Sequence, residues 1–165
     1  MTTFLLAAAG AALLGCDEVP VTSAAAPEAT PEAAAAPAPT VAVATDAAFE
    51  AGLDALRARH GLSAATPDAR LARAAQLHAE DMVRQGYFDH VSRDGRTYIQ
   101  RIAAQGYPTC WPVENIAFGS HDASGALAQW TGSPPHLRNM LTSGSVAYGL
   151  GHAGNIYVLD LARTC

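Results

Sequence analysis

A proline-rich stretch near the start of the chain sets the strongest limit on what this sequence can fold into. Between Ala24 and Pro39 almost every residue is Ala, Pro, Glu or Thr, and four of them are prolines. Prolines at this density block helix propagation and favour extended backbone, and the segment offers few apolar side chains for a core. We therefore predict an extended spacer within residues 16–45 and a globular domain over residues 46–165, which is long enough to bury a core.

The charge balance argues against a nucleic-acid partner. The chain carries a formal net charge of −5 and has an isoelectric point near 5.6. It contains no lysine, and its arginines are scattered along the globular part. Nucleic-acid binding needs a basic face that neutralises phosphates, and attraction to anionic lipids needs a polybasic cluster. Neither pattern is present in the sequence.

The N-terminus is typical of an exported protein. Residues 4–14 form an apolar run that is too short to span a bilayer but suits the core of a signal peptide. The run ends at Leu13-Leu14-Gly15-Cys16, which resembles a bacterial lipobox. We predict a signal peptide over 1–15, acylation of Cys16, and a lipid anchor that holds the protein at the extracytoplasmic side of the cell envelope. Met1-Thr2-Thr3 lacks Lys and Arg, so either the start lies upstream or the signal is weak; an ordinary cleaved signal is the alternative.

The three cysteines agree with this compartment. If Cys16 carries lipid, Cys110 and Cys165 remain, and two cysteines in an exported protein tend to form a disulfide. Two free thiols are the alternative. A catalytic role for a cysteine is disfavoured because Cys165 is the last residue.

Hydrophobic periodicity and turn residues predict an α+β fold. We expect helices on both faces of a small antiparallel sheet, which makes a three-layer α-β-α sandwich. The predicted helices are Asp46–His60, a helix opened by Thr66-Pro67-Asp68 and running to Gln85, Tyr98–Gln105, Ser124–Thr131 and a turn opened by Ser133-Pro134-Pro135; the predicted strands are Val113–Phe118, Ser145–Gly151 and Ile156–Ala162.

Four fragments of the globular part resemble one protein family. They are HAEDMVRQGYFDHVSRDG (78–95), VENIAFG (113–119), QWTGSPPHLRNML (129–141) and VAYGLGHAGNIYVLDLA (146–162). In this order and at these separations they are similar to the bacterial branch of the CAP superfamily, the cysteine-rich secretory, antigen 5 and pathogenesis-related-1 proteins. The resemblance covers about residues 46–165 and implies the α-β-α sandwich of that superfamily.

The resemblance also implies a site. CAP proteins have a central cleft lined by two histidines and one or two glutamates, and the matching residues here are His90, Glu114 and His136. Two imidazoles and a carboxylate suit Zn²⁺ or another divalent ion, and they suit acid–base chemistry, with Glu114 as the candidate catalytic residue. Ser133 replaces the second glutamate of eukaryotic members and is expected to be a helix N-cap. Val113 replaces the usual glycine, and a β-branched residue excludes a positive φ there.

Other interpretations stay open for these and the remaining polar and aromatic residues. His90, Glu114 and His136 could instead form a structural hydrogen-bonded cluster. His78 lies on an apolar helical stripe and is expected in the core, hydrogen-bonded to backbone. We further expect Asn115 and Asn139 to hold backbone in place, and His60, His121 and His152 to be solvated. Trp111 and Trp130 are expected to be packing groups rather than platforms on which a ligand stacks.

Two functions from different classes follow. The first is a non-enzymatic binding module on the cell envelope that presents its His/Glu cleft to a lipid, peptide or glycan. The alternative is a metal-assisted hydrolase of envelope polymers or peptides, in which Glu114 activates water on a metal held by His90 and His136. The sequence has no HExxH motif and no evident nucleophile–base pair, which favours the binding module. The sequence does not indicate an oligomeric state.

Overall fold

The fold is described from a computed structural model, which describes residues 46–108, 110–144 and 146–163. These residues belong to one compact unit. The signal peptide, Cys16, the spacer and Cys165 lie outside the described residues. The elements, in chain order, are α1 (Ala47–Arg59), β1 (Thr66–Pro67), α2 (Ala69–Gln85), α3 (Tyr98–Ala104), β2 (Cys110–Phe118), α4 (Ala123–Thr131), α5 (Pro134–Met140), β3 (Ala147–Ala153) and β4 (Ile156–Arg163).

The sheet has four strands in the order β1-β3-β4-β2, so that β2 lies at one edge. The β3–β4 hairpin and the β2–β4 pair are antiparallel, whereas β1 pairs with β3 in parallel. The α+β prediction is confirmed, and the sheet is mixed rather than purely antiparallel.

The parallel strand β1 corrects one prediction. Thr66 and Pro67 do not open a helix but pair with the start of β3, and the N–H of Asp68 donates to the Tyr148 carbonyl at 2.8 Å. The residue before a proline is pushed towards extended backbone, so Thr66 suits a strand. Helix α2 begins after Asp68, whose carboxylate accepts from the N–H of Arg70 at 2.8 Å.

The helices lie on both faces of the sheet, as predicted. Strand β4 has buried apolar side chains on each face that these helices cover. Its buried apolar side chains alternate between the two faces of the sheet, which makes β4 a strand covered on both sides. Tyr157, Leu159 and Leu161 pack with α1, α4 and α5. The alternate residues of β4 face α2 and α3. None of the helices in the part of the chain that the structure describes is long and apolar enough to cross a membrane.

The two tryptophans behave differently. Trp130 is 1% exposed and meets Phe49 edge-on at 6.3 Å between ring centroids, so its predicted packing role is confirmed. The prediction for Trp111 is wrong, because its side chain is 72% exposed. Trp111 lies in an irregularity of β2 between Cys110 and Val113 and has a φ of 59°, which turns it out of the sheet. Val113 itself pairs with Leu161 without a positive φ.

Candidate functional site

His90 and Glu114 meet at the outer edge of the sheet. His90 lies in the loop after α2, and Glu114 lies on the edge strand β2. The Nδ1 atom of His90 lies 2.8 Å from Oε1 of Glu114. A carboxylate oxygen can only accept, so Nδ1 carries the proton; Nε2 accepts when the ring is neutral and donates when it is protonated. The His90 side chain is 46% exposed, whereas the Glu114 side chain has no exposed surface.

Arg101 on α3 is the buried counterion of Glu114. Its Nη2 atom lies 2.5 Å from Oε2 of Glu114, and both side chains are almost fully buried. Its Nη1 atom donates to the carbonyls of His90 and Arg96 and to the hydroxyl of Ser92, at 3.0–3.2 Å. Arg101 therefore neutralises the glutamate and at the same time fixes the loop that carries His90.

Asp160 completes a buried charged cluster beneath the cleft. It lies opposite Glu114 in the β2–β4 ladder and has no exposed surface. Burial and the neighbouring Glu114 carboxylate raise the pKa of Asp160 well above 3.8. Arg101 hydrogen-bonds Glu114, whereas neither carboxyl oxygen of Asp160 has a hydrogen-bond partner among the described residues, so burial favours the neutral form of Asp160.

Sequence reasoning missed Arg101 and Asp160. A charged residue on a short helix such as α3 usually faces solvent, so the sequence carried no sign that Arg101 is buried. A signal did exist for Asp160, which is the one charged residue in the otherwise apolar run Ile156–Ala162. A lone carboxylate in a strand covered on both faces has to find a partner or stay neutral.

His136 comes to the site from the opposite side of β2, at the start of α5. Its Nδ1 atom lies 2.9 Å from the hydroxyl of Ser133. Ser133 is the N-cap residue, as predicted, but its side chain makes no capping hydrogen bond and contacts the imidazole instead. The second glutamate of eukaryotic relatives is thus replaced by a group that orients a histidine.

Asn115 and Asn139 hold α5 against β2, as expected. The amide of Asn115 donates to the carbonyl of His136 at 3.1 Å. The amide of Asn139 donates to the Asn115 side chain at 2.9 Å and to the Glu114 carbonyl at 3.3 Å. These bonds fix the backbone of His136 relative to Glu114.

His78 has the core role that its position predicted. It is 1% exposed, and its Nε2 atom donates to the Asp89 carbonyl at 2.9 Å. Burial, and then the charge of Arg101, lower the pKa of His78, so it is a neutral donor. It holds the backbone next to His90. His60, His121 and His152 are exposed, as predicted.

The two cleft histidines have opposite electrostatic properties. The hydrogen bond to Glu114 raises the pKa of His90 above 6.5. Burial, and then the charge of His90, lower the pKa of His136 below 6.5. The structure thus brings His90 and Glu114 into contact and sets His136 within electrostatic range of His90.

A three-ligand metal site does not match this arrangement. Within the described ranges, no group of three or more His, Cys, Asp and Glu residues is placed to hold a metal ion. Both oxygens of Glu114 are hydrogen-bonded, one to His90 and one to Arg101. Glu114 is placed as the outer partner that orients a histidine. Binding of Zn²⁺ or another divalent ion at His90 and His136 stays a prediction.

Comparison with known proteins agrees with this fold. Residues 52–157 match the family model described as CAP, the cysteine-rich secretory protein family. This chain belongs to the CAP family. A curated relative, the uncharacterized membrane protein YlbC of Bacillus subtilis, is 31% identical over 108 residues, which are 66% of this chain and 31% of YlbC.

Solved structures of similar proteins have the same CAP fold. An extracellular protein containing a SCP domain from Bacillus anthracis superposes with a TM-score of 0.69 at 27% identity, over 72% of this chain and 40% of the other. An outer surface protein from Borrelia burgdorferi superposes with a TM-score of 0.63 at 18% identity, over 72% of this chain and 92% of that one. This chain spans less than half of the length of YlbC and of the Bacillus anthracis protein, and most of the length of the Borrelia protein.

Proposed function

We propose that this protein is an extracytoplasmic binding module, anchored to the cell envelope, that holds a lipid, peptide or glycan in the cleft of His90, Glu114 and His136. The observation that carries the proposal is the burial and hydrogen bonding of the Glu114 carboxylate. Its carboxylate is buried and hydrogen-bonded on both oxygens, so it is not free to activate a water molecule. It serves to orient His90.

The cleft offers polar and apolar contacts side by side. With Nδ1 of His90 on Glu114 and Nδ1 of His136 near Ser133, the Nε2 atoms of both rings are left for a ligand. The exposed rings of Phe88 and Phe118 contact each other at 5.9 Å, two residues before His90 and four residues after Glu114. A few polar groups beside an apolar wall are typical of ligand sites.

The relatives support the proposed location. One solved neighbour is described as extracellular, another as an outer surface protein, and the Bacillus relative as a membrane protein. An acylated Cys16 followed by the spacer would display the CAP domain in such a place. Mass spectrometry of the membrane fraction should detect the acylated cysteine, and Cys16→Ser should release the protein. A wild-type protein that is soluble and unacylated would refute the anchor.

Hydrolysis is the second candidate function. It is favoured by the opposite pKa shifts of His90 and His136, because a pair of groups that titrate apart can supply an acid and a base at one pH. The metal-assisted form of this proposal needs Zn²⁺ on the two Nε2 atoms, and it is tested together with binding.

Nuclear magnetic resonance of the histidine rings tests the two functions on the full-length protein. The probes are soluble peptidoglycan fragments, a mixed peptide pool and phosphatidylglycerol vesicles, each with and without Zn²⁺. We expect one probe to shift the His90 and His136 signals, and we expect the mass of that probe to stay unchanged, which shows that it is bound and not cleaved. The His90→Ala/His136→Ala variant should lose this response, and His60→Ala, which removes an exposed histidine, should keep it.

The contradicting outcomes are distinct. Cleavage of a probe that depends on the two histidines would support the hydrolase and refute the purely binding role. Binding that is equally strong in the double variant would place the ligand outside the cleft. No response to any probe would refute the binding proposal for all three ligand classes.

A further inference from the structure

A cavity separate from the His90–Glu114 site lies on the face of the sheet that packs against α1 and α4. Its volume is about 460 Å³, which is within the range of small-ligand sites. Residues of β3 and β4, including Tyr148 and Tyr157, line it together with residues at the starts of α1 and α4, including the N-cap residues Asp46 and Asp122. None of the cleft residues His90, Glu114 and His136 lines it.

Tyr148 is a buried polar group without a partner in this cavity wall. It is 3% exposed, and its hydroxyl has no hydrogen-bond partner among the described residues. Its ring contacts Phe49 at 5.9 Å between centroids, which fixes its position. A buried hydroxyl that makes no hydrogen bond costs stability, so a group that binds it is a reasonable expectation.

The carboxylates around the cavity keep free acceptor capacity. Oδ1 of Asp46 accepts from the N–H of Phe49 at 3.0 Å, and Oδ1 of Asp122 accepts from the N–H of Gly125 at 2.7 Å. No hydrogen bond in the described residues involves the second oxygen of either carboxylate. Both aspartates therefore cap a helix with one oxygen and can bind a ligand with the other.

Carboxylates surround the two tyrosines of the cavity. Burial raises the pKa of Tyr148 to about 12, with the charges of Glu50, Asp54 and Asp46 as further causes. Burial and the charges of Asp122 and Asp46 also raise the pKa of Tyr157. The exposed imidazoles of His121 and His152 also line the cavity, and the ring of His152 stacks on Tyr157 at 5.1 Å.

We propose that this cavity binds an organic cation with an alkyl stem, either an alkylammonium or an alkylguanidinium group. Asp46 and Asp122 hold the charge, and the Tyr148 hydroxyl accepts a hydrogen bond from the cationic head. The rings of Tyr148 and Tyr157 line the cavity and offer apolar surface to the alkyl stem. The cation comes either from a free amine or from a basic side chain of a peptide, since both present the same head and stem.

Calorimetry on the full-length protein tests the site with n-butylguanidinium and with the tripeptide Gly-Arg-Gly. Binding of the free cation indicates a small-molecule site, and binding of the tripeptide alone indicates a peptide site; either supports the proposal. The neutral analogue n-butylurea should bind at least about tenfold more weakly, because a hydrogen bond to a charged group is the stronger one. Equal binding of the urea, or no binding of either cation, would overturn the proposal.

Variants that keep the fold separate the parts of the site. Asp46→Asn/Asp122→Asn retains both helix caps, because Asn caps as well as Asp, but removes the charge. Tyr148→Phe removes a hydroxyl that has no partner, so its melting temperature should stay equal or rise. Each variant should bind n-butylguanidinium at least about tenfold more weakly. Asp94→Asn, which removes an exposed carboxylate elsewhere, should bind like the wild type. Wild-type affinity in both cavity variants would refute the site, whatever the cleft of His90 binds.

Discussion

Asp160 and Glu114 lie opposite each other in the β2–β4 ladder inside the protein, and Arg101 is the cation that contacts Glu114. Two buried carboxylates beside one guanidinium cannot both be ionised at low cost, so one of them keeps its proton. Arg101 hydrogen-bonds Glu114, and burial favours the protonated form of Asp160.

Asp160→Asn should change the pH dependence of stability. In the wild type the folded chain keeps the Asp160 proton above pH 3.8, where the unfolded chain releases it, so the free energy of unfolding falls as pH rises towards the folded pKa. Asparagine mimics the neutral acid and removes this loss. Urea unfolding at a series of pH values should therefore give a shallower fall for the variant. The exposed carboxylate variant Glu80→Gln should follow the wild type, and parallel curves for Asp160→Asn and wild type would contradict a neutral Asp160.

How well the sequence predicts the site depends on the kind of residue. His90, Glu114 and His136 were found through the family resemblance, and no local spacing would have joined them. Arg101 and Asp160 were not found, because their burial follows from the layering of α3, β2 and β4 rather than from their neighbours in sequence.

Among the elements, α2 lies unusually close to β3. A Cβ atom at Gly149 would lie 1.9 Å from the N of Ala72, and one at Gly151 would lie 2.2 Å from the N of Gln76. The backbone of α2 thus rests directly on the backbone of β3, with no side chain between them. This contact places the end of α2, and with it the loop of His90, relative to the sheet.

Gly151→Ala should destabilise the CAP domain by about 3 kcal/mol, the upper end of the cost of overpacking, because its methyl group meets backbone that cannot rotate away. Gly132→Ala is the matched control. A Cβ there meets its nearest atom at 3.6 Å and its φ is −75°, so the change should cost less than about 0.5 kcal/mol. Chemical denaturation of both variants measures the difference. Equal stability would show that α2 can shift away from β3.

The bounds of an element were predicted well where caps and hydrophobic periodicity mark it in the sequence, and poorly where they do not. Helix α1 was predicted within a residue at each end, because Asp46 caps it and Phe49, Leu53 and Leu56 form one stripe. Strand β1 was missed, because two residues carry no periodicity and Pro67 suggested a helix start. Trp111 was misplaced because the irregularity of β2 leaves no mark in the sequence.

At the scale of the whole molecule, the last strand returns the chain to the start of β2. Cys110 pairs with Arg163 in the β2–β4 ladder, two residues before Cys165. Arg163 lies beside Cys110 and is only two residues from Cys165 along the chain. This register therefore supports the predicted disulfide between Cys110 and Cys165. The bond would tie the terminus to the strand that carries Glu114.

Loss of this disulfide should lower the free energy of unfolding. The closed loop of about 56 residues corresponds to roughly 4 kcal/mol in the chain-entropy estimate, before any strain is subtracted. Cys165→Ser and reduction of the wild type should lower the melting temperature to a similar extent, and Cys16→Ser should not lower it. Alkylation of both Cys110 and Cys165 in the non-reduced, denatured protein would show that the bond is absent.

The side chain of Gln76 occupies the open border of β3 beyond its short pairing with β1. Its amide donates to the His152 carbonyl at 2.9 Å, and its oxygen accepts from the His152 N–H at 3.0 Å, as a neighbouring strand would. Exposed strand borders are where proteins recruit foreign chains and begin to aggregate. The side chain of Gln76 thus satisfies the backbone N–H and carbonyl of His152, to which a strand of a second molecule could otherwise have paired.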